Sequence, residues 1–428
     1  MSTSARSAAV LLLAAAPAWA EAPLSAIDWL SDSITEPVVT AAPVPAVPDA
    51  TGGTLPEPVT TLSLDGPRPD AAGLLPPSVT GLPRALWGPG DSDDIARMIR
   101  AETVETLPAG QALLTTILLA EADPPASGDE RPTLLLARVD KLLDLGLVEE
   151  ASALLSLAGT TSPELFRRAF DVALLLGSED SACAAMRARP DVAPTFPARI
   201  FCLARGGDWN AAALTLGTIR ALGQLDPGEE ELLSRFLDPD LYEEDGTLAP
   251  PTRPTPLVFR MFEAVGEPLP TGTLPRAFAH ADLRPTAGWK AQIEAAERLA
   301  RTGAIDPNRL LGLYTERSAA ASGGVWERVR AVQALDTALT AGDTPAVAAA
   351  LPRAWDEMHG AGLSPALSAM TAERLAPLAA DLEGRAGAIA FRLALLSPGY
   401  EAAAAVRAPA DREERLLAAI ARGEPLPR

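Results

Sequence analysis

Three glycines, Gly146, Gly177 and Gly207, stand 31 and 30 residues apart, and the apolar residues around them repeat in register. Eleven positions before each glycine are Leu135, Phe166 and Phe196; seven before are Val139, Phe170 and Ile200; four before are Leu142, Ala173 and Leu203. Those offsets line one face of a helix. Five positions after the glycines come Ala151, Ala182 and Ala212, and nine after come Leu155, Met186 and Leu216, on a second helix. Glycine permits the left-handed turn between the two, and the alanine lets the second helix pack closely. A helical hairpin of this length cannot bury its own apolar face, so neighbours must stack on it. The pattern predicts an all-α fold, an α-solenoid of stacked helical hairpins.

In this frame Cys183 lies on the second helix of one hairpin and Cys202 on the first helix of the next. Those are antiparallel neighbours that a disulfide can staple. In an oxidising compartment such a pair is expected to close, adding on the order of 3 kcal/mol; left reduced, both would behave as small buried apolar groups. Over roughly residues 130–220 the pattern resembles the tetratricopeptide class of α-solenoids, also seen in the superhelical domains of periplasmic lytic transglycosylases. The resemblance implies solenoid geometry. For a transglycosylase it also implies a separate catalytic domain with a Glu-Ser motif, and the C-terminal region, Ala-rich and helical, contains no Glu-Ser dipeptide.

The N-terminal ninety residues read differently. Met1–Ala20 has the form of a secretory signal peptide: Arg6, an apolar stretch from Ala8 to Ala16, and Ala18-Trp19-Ala20 as a small-x-small cleavage site. The mature chain is expected to be exported, periplasmic or otherwise, and soluble after cleavage near Ala20. No later stretch reaches the roughly 18 apolar residues of a spanning helix. Residues 21–90 are dense in proline, which forbids continuous helix and predicts an extended tether. Two apolar patches interrupt it: Leu24, Ile27, Leu30 and Ile34 with Trp29, and Leu74-Leu75 through Leu82, Leu86 and Trp87. Apolar side chains in a solvated tether need a burial site. They either fold back onto the protein's own helices or dock in a partner, which makes Leu24, Ile27, Trp29, Leu30 and Trp87 candidate partner-binding residues.

Helical periodicity fills residues 91–223 and resumes over 257–428, with further hairpins centred on Gly303 and Gly342. Between them, residues 224–256 are acidic and end in Pro250, Pro251, Pro254 and Pro256, which predicts a long loop or hinge.

Chemistry is mostly excluded. The two lysines, Lys141 and Lys290, follow Asp140 and Trp289, so no phosphate-binding loop exists. His280 and His359 are the only histidines and lie far apart in the chain, so the H-E-x-x-H zinc motif is absent. Neither His280 with Asp282 nor Glu357 with His359 supplies the three ligands a catalytic zinc needs. Gly362-Leu363-Ser364-Pro365-Ala366 lacks the final glycine of a hydrolase elbow and reads as a helix cap. The acidic run near Asp238–Asp245 lacks the alternation of a calcium loop. No cofactor and no metal are indicated. A formal net charge of −20 repels phosphate backbones and anionic membranes, so nucleic acid is not an expected partner.

With aromatics only 4% of the chain, Tyr314, Trp289, Trp326 and Trp355 stand out. They either pack helices together or line a concave surface suited to peptide or glycan; Tyr314 and Trp326 are taken as partner-binding candidates. The expectation is a non-catalytic, exported scaffold or adaptor of the cell envelope. It would bind a protein or peptide through its solenoid surface and tether. The alternative is a peptidoglycan-acting enzyme or accessory factor, suggested by compartment and fold analogy.

Overall fold

Several helices begin where a short capping side chain precedes a proline. In a computed structural model that describes residues 68–125, 131–160, 162–242, 246–319 and 321–425, the side chains of Ser162, Asp226, Thr255 and Asp306 each accept a first-turn backbone N–H. The proline that follows each of them takes the first helical position, where a missing N–H is not felt. These prolines start helices rather than break them.

Short single turns aside, the helices run α1 (Ser92–Ala101), α2 (Pro108–Leu119), α3 (Thr133–Leu145), α4 (Val148–Ala158), α5 (Pro163–Leu176) and α6 (Glu179–Ala188). Then come α7 (Phe196–Arg205), α8 (Trp209–Ala221), α9 (Pro227–Leu237), α10 (Pro256–Ala264), α11 (Trp289–Ala300) and α12 (Pro307–Thr315). The chain closes with α13 (Val325–Ala341), α14 (Thr344–Gly360), α15 (Ser364–Leu375), α16 (Gly384–Leu395), α17 (Tyr400–Val406) and α18 (Arg412–Ala421). The described residues are all-helical apart from one isolated bridge between Leu75 and Ala120. No helix among them is long and apolar enough to cross a membrane.

The pairs α3–α4, α5–α6 and α7–α8 turn at Gly146, Gly177 and Gly207, and each second helix packs on the first helix of the next pair. The frame residues do the packing. Leu135, Val139, Leu142, Phe166, Phe170 and Ile200 are buried on the first helices, and Ala151, Leu155, Met186, Ala212 and Leu216 on the second. Phe196, Leu203 and Ala182 are partly buried against the same core. Cys183 on α6 and Cys202 on α7 are disulfide-bonded, with a Cα–Cα distance of 5.0 Å across a sequence separation of 19. Replacing both by alanine is expected to lower stability by about 3 kcal/mol. Thermal unfolding with and without reductant checks this, and a wild-type midpoint indifferent to reductant would contradict it.

Two stretches differ from the sequence expectation. The loop expected over 224–256 contains α9, because Asp226 caps its N-terminus and Leu232 and Leu233 bury one face. Acidity and proline masked a helix start. Second, residues 257–283 do not open the C-terminal group but return to the first one. α10 packs on α5, and the single turns Arg276–Phe278 and Ala279–Asp282 reach α3 and α5. Leu257, Met261 and Phe262 complete the core of α5–α9, while Phe259, Leu274 and Phe278 complete that of α1–α5. A third core is formed by α11–α16.

α3 lies at the meeting point, and both of its ends are capped from far away in the chain. Its first turn offers the Leu135 N–H to the buried carboxylate of Asp70, at 2.8 Å. At its other end the carbonyls of Asp144, Leu145 and Gly146 accept from Arg276 (3.0 Å), Thr302 (2.6 Å) and His280 (2.7 Å). These are the orphan carbonyls every helix end must satisfy. Gly146 fits here for two reasons: its φ is 87°, and a Cβ would lie 2.8 Å from a methyl of Leu299.

His280 is buried, and that burial holds its imidazole below the ordinary 6.5, opposed by the bond to the Gly146 carbonyl and by the charge of Glu149. A depressed folded value means the neutral ring favours the folded state. This stabilisation is fully present above pH 6.5 and is lost as pH falls through the lower folded value. His280→Gln keeps an N–H for the carbonyl but cannot charge. It is expected to shrink the stability difference between neutral and mildly acidic buffer, measured by urea unfolding at both; an unchanged difference would count against this role.

Candidate functional site

Residues 1–67, including the leader, Leu24, Ile27, Trp29 and Leu30, lie outside the described residues. The rest of the tether does not hang free. Residues 68–90 lie against α2 and α3: Leu74 and Leu75 donate to the Leu119 carbonyl at 2.8 and 3.0 Å, and Glu121 donates back to Leu75 at 2.9 Å. Gly73 of this strap sits so close to the Ala120–Glu121 backbone that a Cβ would meet the Glu121 nitrogen at 2.2 Å. Trp87 is half-buried in the same core, its ring centroid 6.0 Å from the guanidinium carbon of Arg138. Arg138 is fully buried and donates to the carbonyls of Leu118 (2.7 Å), Ala72 (2.7 Å) and Ala120 (3.0 Å). Burial pulls its pKa down to about 10, so it remains a cation.

Of the C-terminal aromatics, Tyr314 and Trp289 are internal. Tyr314 is fully buried, and its hydroxyl donates to Glu297 at 2.9 Å. Burial and the Glu297 charge push its pKa well up. Arg328 holds the same carboxylate through two bonds of 2.7 and 2.6 Å. Trp326 is half-buried, its ring centroid 5.0 Å from that of Trp289, whose indole N–H donates to the Leu313 carbonyl at 2.9 Å. Tyr314 thus belongs to the packing between α11, α12 and α13, and Trp326 leans on the same core.

The elbow-like segment carries a contact the sequence did not show: Nδ1 of His359 lies 2.9 Å from the Ser364 hydroxyl, and the ring stacks on Trp355. A Ser–His pair becomes a nucleophile when a third group orients the imidazole. Among the described residues no carboxylate bonds the other ring nitrogen, and the histidine is exposed. No group of three metal-ligating side chains occurs among the described residues.

Two concave features lie among α4–α10. α4 and α6 flank α5 and leave between them an open groove of about 590 Å³. Its walls are Ser152 and Ser156 on one side and Ser178, Ser181, Ala182 and Ala185 on the other; Phe166, Ala169, Val172 and Ala173 of α5 form the floor. Small second-helix residues, the same feature that allows close hairpin packing, keep the walls low. Nothing charged lines it, although 21% of the chain is charged. A second cleft of about 570 Å³ lies between α5, α7, α9 and α10, lined mainly by apolar residues together with Arg167, Asp171 and Glu229. Arg167 there donates to the Pro194 carbonyl at 3.0 Å.

No family model, curated protein or solved structure matches this chain.

Proposed function

We propose that this protein is an exported, non-catalytic scaffold of the tetratricopeptide-like kind, which binds a polypeptide in the groove between α4 and α6. What supports the reading is the character of that groove: an uncharged trough of hydroxyls and methyls on an apolar floor, within a chain of net charge −20. Serine hydroxyls can meet the backbone of an extended or helical segment, and the small side chains let that segment approach the floor. The in-register hairpins and the staple between α6 and α7 make the walls rigid, so little ordering is left for the binding event.

The test places a photo-crosslinking side chain at Ser156 or Ser181, and at the exposed Glu294 on α11 as a control, in cells that make the full chain. A discrete partner trapped from both groove positions and not from the control is expected. Ser156→Trp, which fills the groove, should abolish capture at Ser181. Capture from all positions alike, or indifference to Ser156→Trp, would remove the groove from consideration. Incubation with purified sacculi addresses the peptidoglycan reading: muropeptide release by the wild type would replace the scaffold with an enzyme.

A further inference from the structure

The groove between α4 and α6 has no charged lining, and one stretch of the chain's own N-terminal region matches it. From Glu21 to Pro67 every charged residue is acidic. The longest interval without one is Pro37–Pro48, bounded by Glu36 and Asp49, and it consists of proline, valine, alanine and a single threonine. Within it Val38, Ala41, Val44 and Val47 recur at every third position. A polyproline helix has three residues per turn, so in that conformation these four share one face. Pro37, Pro43, Pro45 and Pro48 hold φ near the value it requires. The described chain begins at Arg68, beside the first turn of α3, where Asp70 accepts the Leu135 N–H. α4 runs back along α3 from Gly146, which brings Thr160, at the near end of the groove, level with that turn. The groove lies within two helix spacings of α3, or about 20 Å. From Pro48 to Arg68 the chain reaches about 60 Å at full extension.

We infer that Pro43–Val47 of the same chain occupies the groove, with Val44 and Val47 on the floor of Phe166, Ala169 and Val172, and that an outside polypeptide must displace it. This rests on the reading of the groove as a peptide site and adds what controls access to it. A wall the length of α4, about 16 Å, holds about five residues at the polyproline rise of about 3.1 Å. Pro43 and Pro45 bring no N–H into the groove, and the hydroxyls of Ser152 and Ser156 can donate to the carbonyls of the segment. The neutral lining selects this segment over the apolar patch at Leu24–Ile34, which would carry Asp28 and Asp32 into a trough without a cation. The rim selects nothing, being of mixed charge: Arg189, which donates to the Thr160 carbonyl at 2.9 Å, and Glu164 at the near end, Glu150 and Asp180 at the far one. Attachment to the same chain gives the segment an effective concentration on the order of millimolar, an advantage that a separate peptide of equal sequence lacks.

Photo-crosslinking side chains at Ser156 or Ser181 of the purified full chain, with Glu294 as control, read the contact by mass spectrometry. A link within one chain to a peptide from residues 37–48, its yield unchanged by dilution, is expected from both groove positions and not from the control. Val44→Asp with Val47→Asp should abolish it, with far-ultraviolet circular dichroism unchanged. A fluorescent peptide of residues 37–48 should bind that variant at least about tenfold more tightly than the wild type, whose groove is already filled. Links to another part of the chain or between two chains, or equal peptide affinity for wild type and variant, would overturn the inference. If crosslinking in cells traps a partner at the groove while the purified chain gives no link to residues 37–48, the inference fails and the groove keeps its function. If neither link forms, both fail.

Discussion

Arg138→Met is expected to lower the unfolding free energy by about 3–5 kcal/mol. The methionine keeps much of the apolar stem but donates nothing. The carbonyls of Leu118, Ala72 and Ala120 then lose their donor at a site from which water is excluded. Each buried orphan costs about 1–3 kcal/mol, and relief from burying the cation offsets part of the sum. The strap at 72–75 also loses its main tie to α3, so Trp87 should become more accessible. Urea unfolding gives the first quantity, and acrylamide quenching of Trp87, in a background where the other six tryptophans of the chain are replaced by phenylalanine, gives the second. Arg138→Lys has one nitrogen for three carbonyls and should recover only a fraction. A loss under about 1 kcal/mol would mean that the strap is held by its own backbone bonds.

The second large effect is expected at Glu297. This carboxylate is 2% exposed and serves both Arg328 and the Tyr314 hydroxyl. Glu297→Ala leaves the guanidinium and the phenol unpartnered against the α11–α13 core and should cost about 3 kcal/mol. That is the low end for a broken buried pair, because the Arg328 side chain is 17% exposed and retains some water. Tyr314→Phe, which removes one hydrogen bond, should cost about 1 kcal/mol. The double variant should cost less than the sum, since the lost bond is counted in both singles. Strict additivity in that cycle would show that hydroxyl and carboxylate do not interact.

The hairpin frame was legible because each of its signals is local. Apolar spacing, a glycine with positive φ and a small residue on the second helix lie within one thirty-residue window. The disulfide followed from the same frame. Asp226-Pro227 was harder, since a capping residue before proline carries the same letters as a linker. What distinguishes α9 from a hinge is the apolar face that follows, Leu232-Leu233. The burial of Tyr314 was hidden for a different reason. Scarcity drew attention to Tyr314, but whether a tyrosine faces solvent or a buried glutamate depends on a contact across seventeen positions. The groove was not legible at all: serine and alanine on the second helices announce close packing, and nothing local says where that packing stops. The course of residues 68–90 was hidden because what holds it, the backbone bonds of Leu74 and Leu75 with Leu119 and Glu121 and the donation of Arg138 to the Ala72 carbonyl, joins positions far apart in the chain.

The remote capping of α3 has a consequence for how this chain is made. Its N-terminal cap, Asp70, is synthesised before the helix, but Arg276, His280 and Thr302 follow 132 to 157 positions after the carbonyls they satisfy. Until that length has left the ribosome, the centre of the first core has an unfinished edge, with Phe259, Leu274 and Phe278 also still missing. A nascent chain arrested before residue 270 should therefore remain protease-sensitive around Gly146, however many hairpins it already contains. Growth by successive hairpins suggests folding in instalments, domain by domain as synthesis proceeds. The return segment instead makes the first part of the molecule wait for the second.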